Sequence, residues 1–232
     1  MCNNMNDISI NIIDSIIMMI ENLDEPWGIK SINSEHIYMN NSARLFTNTP
    51  KNFSIEGKMD EAFPTSWSKL FHELKEHDEL TKIESSTTRV IEIDYWNGSS
   101  TLIPYISEKI PLLNKDKECI GILWNAKKIL NINPLIYHEK KAVNILKTYQ
   151  ESSFFSKREL EIIFLLQQRF GSKEIAKYLN LSPITVNHKL QVIYQKMGVN
   201  SARQLIEYCK TYSLDNFIPE RFLTPGVLFI TK

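Results

Sequence analysis

Ile184, Asn187, His188, Gln191 and Gln195 gather on one side of a helix drawn at 100° per residue from Pro183 to Met197, with Asn187 on the flank of that side. Their chemistry is that of base reading. Asn and Gln offer a donor–acceptor pair that fits adenine, His can meet guanine or phosphate, and Ile184 can touch a thymine methyl. The other side of the helix carries Val186, Leu190, Ile193 and Met197, a stripe that must face a core. Lys189 and Lys196 flank it, where a cation reaches phosphate.

Other chemistries find no support in the sequence. There is no Gly-rich phosphate loop, no HExxH and no GxSxG, and Asp and Glu read as scattered, solvated charges, so no enzyme is expected. Cys2, Cys119 and Cys209 are far apart and odd in number. They offer neither a disulfide framework nor metal spacing, and they point to a reducing compartment. Cys119 reads as a small buried hydrophobe.

The reading helix needs a scaffold, and its neighbours supply one. Ser156-Lys157-Arg158-Glu159 is a capping box, followed by the apolar positions Leu160, Ile163 and Phe164. A short helix from Ser172 carries Ile175, Ala176 and Leu179. Ser182-Pro183 is an N-cap with proline in the first turn, and Gly198 is a C-terminal stop. Ser201–Gln204 opens a fourth helix. Short helices with a tight turn between the second and third make a helix-turn-helix, so the expected partner is double-stranded DNA. The alternative is an adaptor whose outer face binds a protein in place of DNA.

Phe155–Cys209 resembles the LuxR/GerE-type DNA-binding domain. The resemblance rests on Ser156–Glu159, Ser172–Ala176, Leu181–Val186 and Ile193–Val199. It implies an all-α four-helix domain, commonly dimeric, whose third helix enters the major groove. By that resemblance Asn187, His188 and Gln191 read bases, with Ile184 beside them. Lys173, Thr185, Lys189 and Lys196 face phosphate. Arg169 stands where the family often has Gly, and Ile184 and Asn187 stand where basic residues are frequent.

The N-terminal half reads as α+β. Ile13, Ile16, Ile17 and Ile20 give one apolar face to a helix over 8–20, suited to packing on the next domain or to dimerisation. Strands follow at 27–32 and 36–39, joined by Asn33-Ser34-Glu35. Asn40 or Asn41 caps a short helix through Phe46. A helix over 66–78 presents Trp67, Leu70, Phe71 and Leu74. Strands at 90–96 and 100–106 flank Asn97-Gly98, a two-residue hairpin signal, and a last strand starts at Glu118 after the turn 114–117. This order resembles a PAS domain: an antiparallel sheet with flanking helices. Tyr38–Phe46, Ile55–Lys58 and Glu118–Ile129 carry that resemblance. PAS joined to a LuxR-type helix-turn-helix is a regulator architecture, TraJ-type activators among its examples.

The expected domains are an N-terminal helix at 1–22, a PAS-like sensor or dimerisation domain at 23–131, a linker helix at 132–153 around Leu135, Ala142, Ile145 and Tyr149, the helix-turn-helix domain at 154–211, and a tail at 212–232 whose role the sequence does not reveal. No cofactor is expected. A flavin photosensor needs a reactive cysteine on an early helix, and Cys119 is on the last strand. Haem would need an axial imidazole on the 66–78 helix. His72 points away from the apolar stripe there, and His77, at its edge, is the single candidate.

The 232 residues carry no net charge, but 151–210 hold nine Lys/Arg against five Glu, leaving the remainder acidic. The apolar run Ile16–Ile20 is too short for a membrane span and lacks a basic lead, so a cytoplasmic protein is expected. Expected partners are DNA, a second copy of the chain, RNA polymerase, and a small-molecule or protein signal at the PAS-like domain.

Overall fold

A computed structural model describes residues 12–131, 144–148, 154–212 and 214–230. The chain forms two units. One comprises 1–129 with 224–232, the other 130–223.

The first unit is α+β and PAS-like. Helix α1 covers 12–20. It buries Ile20 against Ile29 and Leu123, with Ile13, Ile16 and Ile17 half-buried beside them. Its apolar face therefore packs on the sheet, while Met18 and Met19 face solvent. β1 (Trp27–Ser31) and β2 (His36–Met39) form a hairpin whose turn puts Ser34 at φ 67°. Asn40 caps α2 (Asn41–Phe46) by accepting from the Ala43 amide at 2.8 Å, and its own amide group donates to the carbonyls of Ile20, Leu23 and Glu25. That single side chain fastens the α1–β1 connection to the start of α2. A 3-10 turn at Ser66–Leu70 then leads into α3 (Phe71–Glu84), which runs six residues beyond the expected end. Trp67, Leu70 and Leu74 are buried as the spacing predicts, and Phe71 is half-buried.

β3 (Thr88–Asp94), β4 (Ile103–Leu113) and β5 (Cys119–Lys128) complete five antiparallel strands, and a sixth, β8 (Gly226–Phe229), pairs with β3. The order is β2-β1-β5-β4-β3-β8. In β1, Gly28 lies opposite Trp124, and a Cβ there would run into the indole.

The two-residue hairpin at Asn97-Gly98 is a correction. Both residues do take positive φ, but pairing stops at Asp94↔Ile103 and the intervening residues form a longer loop. The reason is tertiary. Trp96 is drawn into the core to stack on Phe46 at 4.5 Å, while Asn48 donates to the Tyr95 carbonyl and accepts from the Gly98 amide. Cys119, expected to be buried, is half-exposed.

The second unit opens with a two-stranded ladder, β6 (Leu130–Asn131) on β7 (Asn144–Ile145). The expected linker helix over 135–150 is thus contradicted at 144–145, which are extended; its residues 135–143 and 149–150 lie outside the described residues. Four helices follow: α4 (Lys157–Gln167), α5 (Ser172–Leu179), α6 (Pro183–Met197) and α7 (Ala202–Thr211). They close on one core, with Leu160, Ile162, Ile163, Leu165, Ile175, Leu179, Val186, Ile193 and Leu205 among its buried side chains.

Candidate nucleic-acid interface

The caps that aim α6 are local and fully formed. The Ser156 side chain accepts from the Glu159 amide at 3.3 Å, and the Glu159 carboxylate accepts from the Ser156 amide at 2.7 Å. Before α5, the Glu174 carboxylate accepts from the Gly171 amide at 2.8 Å. Between α5 and α6 the chain reverses at Asn180 in the left-handed region, a conformation asparagine tolerates, and Ser182 then caps α6 by accepting from the Thr185 amide at 3.0 Å. Gly198 ends α6 at φ 65°. Ser201 caps α7 by accepting from the Gln204 amide at 3.3 Å, and the Gln204 side chain accepts from the Asn200 amide at 2.7 Å.

These caps hold α6 with Val186, Leu190, Ile193 and Met197 in the core and Asn187, His188, Gln191 and Gln195 exposed. Ile184 is 81% exposed on the same side. The structure therefore brings Ile184, Asn187, His188 and Gln191 onto one outer face. Lys173 is exposed on α5, and Lys189 is half-buried on the α6 flank. Thr185 is half-buried, its hydroxyl 2.8 Å from that of Ser182. Lys196 departs from the phosphate role expected of it. Its ammonium donates to both Glu159 oxygens at 2.8 and 2.9 Å and to the Phe154 carbonyl at 3.2 Å, and it sits 5.9 Å over the Phe155 ring. That lysine ties the end of α6 to the start of α4. Arg169, at the position where Gly is frequent in the family it resembles, has φ 69° and is exposed.

The sheet unit holds a second arrangement, one that sequence reasoning missed. Lys30 on β1 is 3% exposed, Lys109 on β4 is 2% and Asp78 on α3 is 0%. Lys30 Nζ lies 2.6 Å from Asp60 and 3.2 Å from Asp78, Lys109 pairs with Asp78 and donates to the Leu74 carbonyl at 2.7 Å, and His36 Nε2 lies 2.8 Å from Asp60. Reading Asp and Glu as solvated charges is thus corrected at Asp60, Asp78 and Glu92, all buried. Burial pulls the Lys30 ammonium down, but Asp60 and Asp78 outweigh it and hold it above the ordinary lysine value. Burial also works against the carboxylates, and Lys30 at Asp60 and Lys109 at Asp78 overcome it to hold both below the usual range. At Glu92 burial outweighs the attraction of Lys109 and the Ser107 hydroxyl and pushes the carboxyl up.

Lys30, His36, Asp60, Glu92 and Lys109 line a cavity of about 40 Å³, with Trp67, Trp96 and Trp124 among its aromatic walls. That is room for about three waters. His77, the one haem candidate, is not in its wall. The imidazole is fully buried, 6.2 Å from the Phe229 ring.

Two buried imidazoles set a pH dependence. Burial pushes His77 down to about 3 and lowers His36 as well, against its bond to Asp60. Below about pH 6.5 the unfolded chain takes up protons that the folded unit refuses, so stability is full above that pH and is lost as pH falls toward the folded values. Neutral when folded across this range, His77 contributes a slope that approaches about 1.4 kcal/mol per pH unit, and His77→Leu should remove that share. Urea midpoints by tryptophan fluorescence between about pH 4.5 and 6.5 would show this. An unchanged slope in the variant would mean that His77 titrates as an open imidazole.

Residues 153–209 match the family described as bacterial regulatory proteins, luxR family. The second unit carries a LuxR-type helix-turn-helix domain. Oxygen regulatory protein NreC of Staphylococcus carnosus is 42% identical to the chain over 62 residues, which are 27% of this chain and 29% of that protein, and NreC of Staphylococcus aureus matches equally. The chain thus spans under a third of the length of these curated relatives. Two solved structures share the fold over nearly the whole chain. The Vibrio cholera VqmA–ligand–DNA complex has a TM-score of 0.74 at 18% identity, covering 94% of this chain and 95% of that one. The phage VqmA–DPO complex has a TM-score of 0.71 at 22% identity, covering 98% and 100%. The LuxR-type domain therefore sits on a chain whose complete fold, PAS-like unit included, has counterparts.

Proposed function

We propose that the chain is a transcription regulator that binds double-stranded DNA through α6, its output set by the PAS-like unit. The observation that carries this is the outer face of α6. A polar face with Ile184 standing out from it, held by three satisfied caps, suits the floor of a major groove better than it suits water. Asn187, His188 and Gln191 read base edges, with Ile184 against a thymine methyl. Lys173, Thr185 and Lys189 position the helix on phosphate.

The chain would act as a dimer in the cytoplasm, meeting RNA polymerase at its promoters. No helix among the described residues is long and apolar enough to cross a membrane. The signal would act at the cavity, where aromatic walls and charged groups converge. One structural neighbour is a complex with ligand and DNA and another a complex with DPO, which fits a small-molecule signal here.

Selection of bound sequences from a pool of random duplexes, using the full chain, tests the reading. Enrichment of a pseudo-palindrome with half-sites about 10 bp apart, or a multiple, is expected. Retention should weaken steeply between about 50 and 200 mM salt. A pool that stays random, with no salt-dependent retention, would return the α6 face to a protein partner.

A further inference from the structure

Three helices of the second unit end on the same backbone device. At α6 the Gly198 amide donates to the Gln195 carbonyl at 3.3 Å and the Val199 amide to the Tyr194 carbonyl at 3.0 Å. At α5 the Asn180 amide donates to Lys177 at 3.5 Å and the Leu181 amide to Ala176 at 2.9 Å. At α4 the Arg169 amide donates to Leu166 at 3.0 Å and the Phe170 amide to Leu165 at 3.2 Å. This pattern needs a left-handed residue just past the helix, and φ is 65° at Gly198, 53° at Asn180 and 69° at Arg169. Glycine takes that conformation freely and asparagine tolerates it. Arginine carries a Cβ that crowds the following carbonyl, so the α4 stop is strained where the α6 stop is not.

No contact within the unit offsets that strain. Arg169 is exposed, and among the described residues its guanidinium makes neither an ion pair nor a hydrogen bond. Arg158, by contrast, pairs with Glu161 at 2.7 Å, and Arg203 pairs with Glu207 at 3.3 Å. The turn around Arg169 is nonetheless firmly held. Phe170 packs on the helical core, its ring 5.0 Å from that of Tyr178, and the Gly171 amide is bound by the Glu174 carboxylate at 2.8 Å. Glu174 is the one acidic residue between 168 and 178.

The turn leads into α5. In helix-turn-helix docking that helix crosses the DNA backbone while the next one enters the major groove. Arg169 stands at the same end of α5 as Lys173, four residues ahead of it. On α6 itself Lys196 is engaged by Glu159, which leaves Lys189 as the cation for phosphate there. We propose that Arg169 is a phosphate clamp, gripping the DNA backbone beside Lys173 and so fixing how α6 enters the groove. A guanidinium suits this role because its planar fork meets phosphate oxygens two at a time. The inference rests on the reading of the helical unit as DNA-binding.

Fluorescence anisotropy of the full chain on a labelled random duplex, between about 50 and 200 mM salt, tests the clamp beside thermal unfolding followed by ellipticity. Arg169→Gly relaxes the backbone and removes the cation together. It should raise the unfolding midpoint of the helical unit by about 4 °C, yet bind duplex several-fold more weakly, with the slope of log affinity against log salt reduced by about one. A merely structural residue could not move stability and binding in opposite directions. Arg169→Lys keeps both the strain and the charge, and should stay near the wild type in midpoint and slope. Lys173→Ala is the reference. If it lowers the slope while Arg169→Gly leaves slope and affinity as in the wild type, the clamp is overturned and the DNA-binding reading stands. A wild type that shows no salt-dependent binding to duplex would overturn both.

Discussion

Replacing Asp78 with alanine should destabilise the sheet unit by about 3–5 kcal/mol, the loss expected when one partner of a buried ion pair is removed and the other stays behind. Asp78 stands between two lysines. Without it, among the described residues Lys109 keeps a hydrogen bond to the Leu74 carbonyl and Lys30 its pair with Asp60. Both ammonium groups are almost fully buried, so bulk solvent does not take the place of the lost carboxylate. Tryptophans 27, 67, 96 and 124 are all in the sheet unit, so urea unfolding followed by tryptophan fluorescence reads that unit alone. The helical unit should keep its ellipticity across the same transition. Asp78→Leu combined with Lys109→Met should recover most of the loss, because a buried pair exchanged for apolar groups is often close to neutral. A loss below about 1 kcal/mol for Asp78→Ala would mean that the network is solvated, as a surface pair is.

That network marks a boundary in what the sequence discloses. The helix-turn-helix is legible because its determinants are local. Ser156 and Glu159, or Ser182 and Thr185, sit three residues apart and satisfy each other, while Val186, Leu190 and Ile193 repeat at the period of the helix. Lys30 meets partners 30 and 48 residues away, and a lysine in a strand or an aspartate in a helix reads locally as a solvated charge. The one available hint was Lys30 itself, set among apolar neighbours in a short strand. β8 was hidden in the same way. Val227 and Phe229 alternate properly, yet the strand they pair with lies more than 130 residues upstream. At Asn97-Gly98 the dihedral preference was read correctly and the hairpin was not, since burying Trp96 outweighed a tight turn. Lys196 sits on the flank that the helical wheel assigns to it. Its engagement depends on Glu159, which only the packing of α4 against α6 brings near.

The difference between Lys196 and the other lysines sharpens the expected behaviour of the DNA-binding face. Changing Asn187, His188 or Gln191 to alanine should each cost about 1–3 kcal/mol on the selected duplex, because a well-aligned base contact is lost while the exposed site is left free to rehydrate. The triple variant should lose on the order of a hundredfold or more in cognate affinity and almost none on random duplex, so the specificity ratio collapses. Folding should survive, as none of the three lies on the buried stripe. Lys173→Ala and Lys189→Ala should weaken cognate and random duplex alike and lower the slope of log affinity against log salt by about one each. Lys196→Met should leave that slope unchanged. It should instead cost the helical unit up to about 1 kcal/mol, since a half-exposed pair with Glu159 is what it breaks. Fluorescence anisotropy with labelled duplexes, run beside thermal unfolding of each variant, separates the three classes. Unchanged cognate affinity and specificity ratio in the triple variant would show that α6 presents its outer face to something other than DNA.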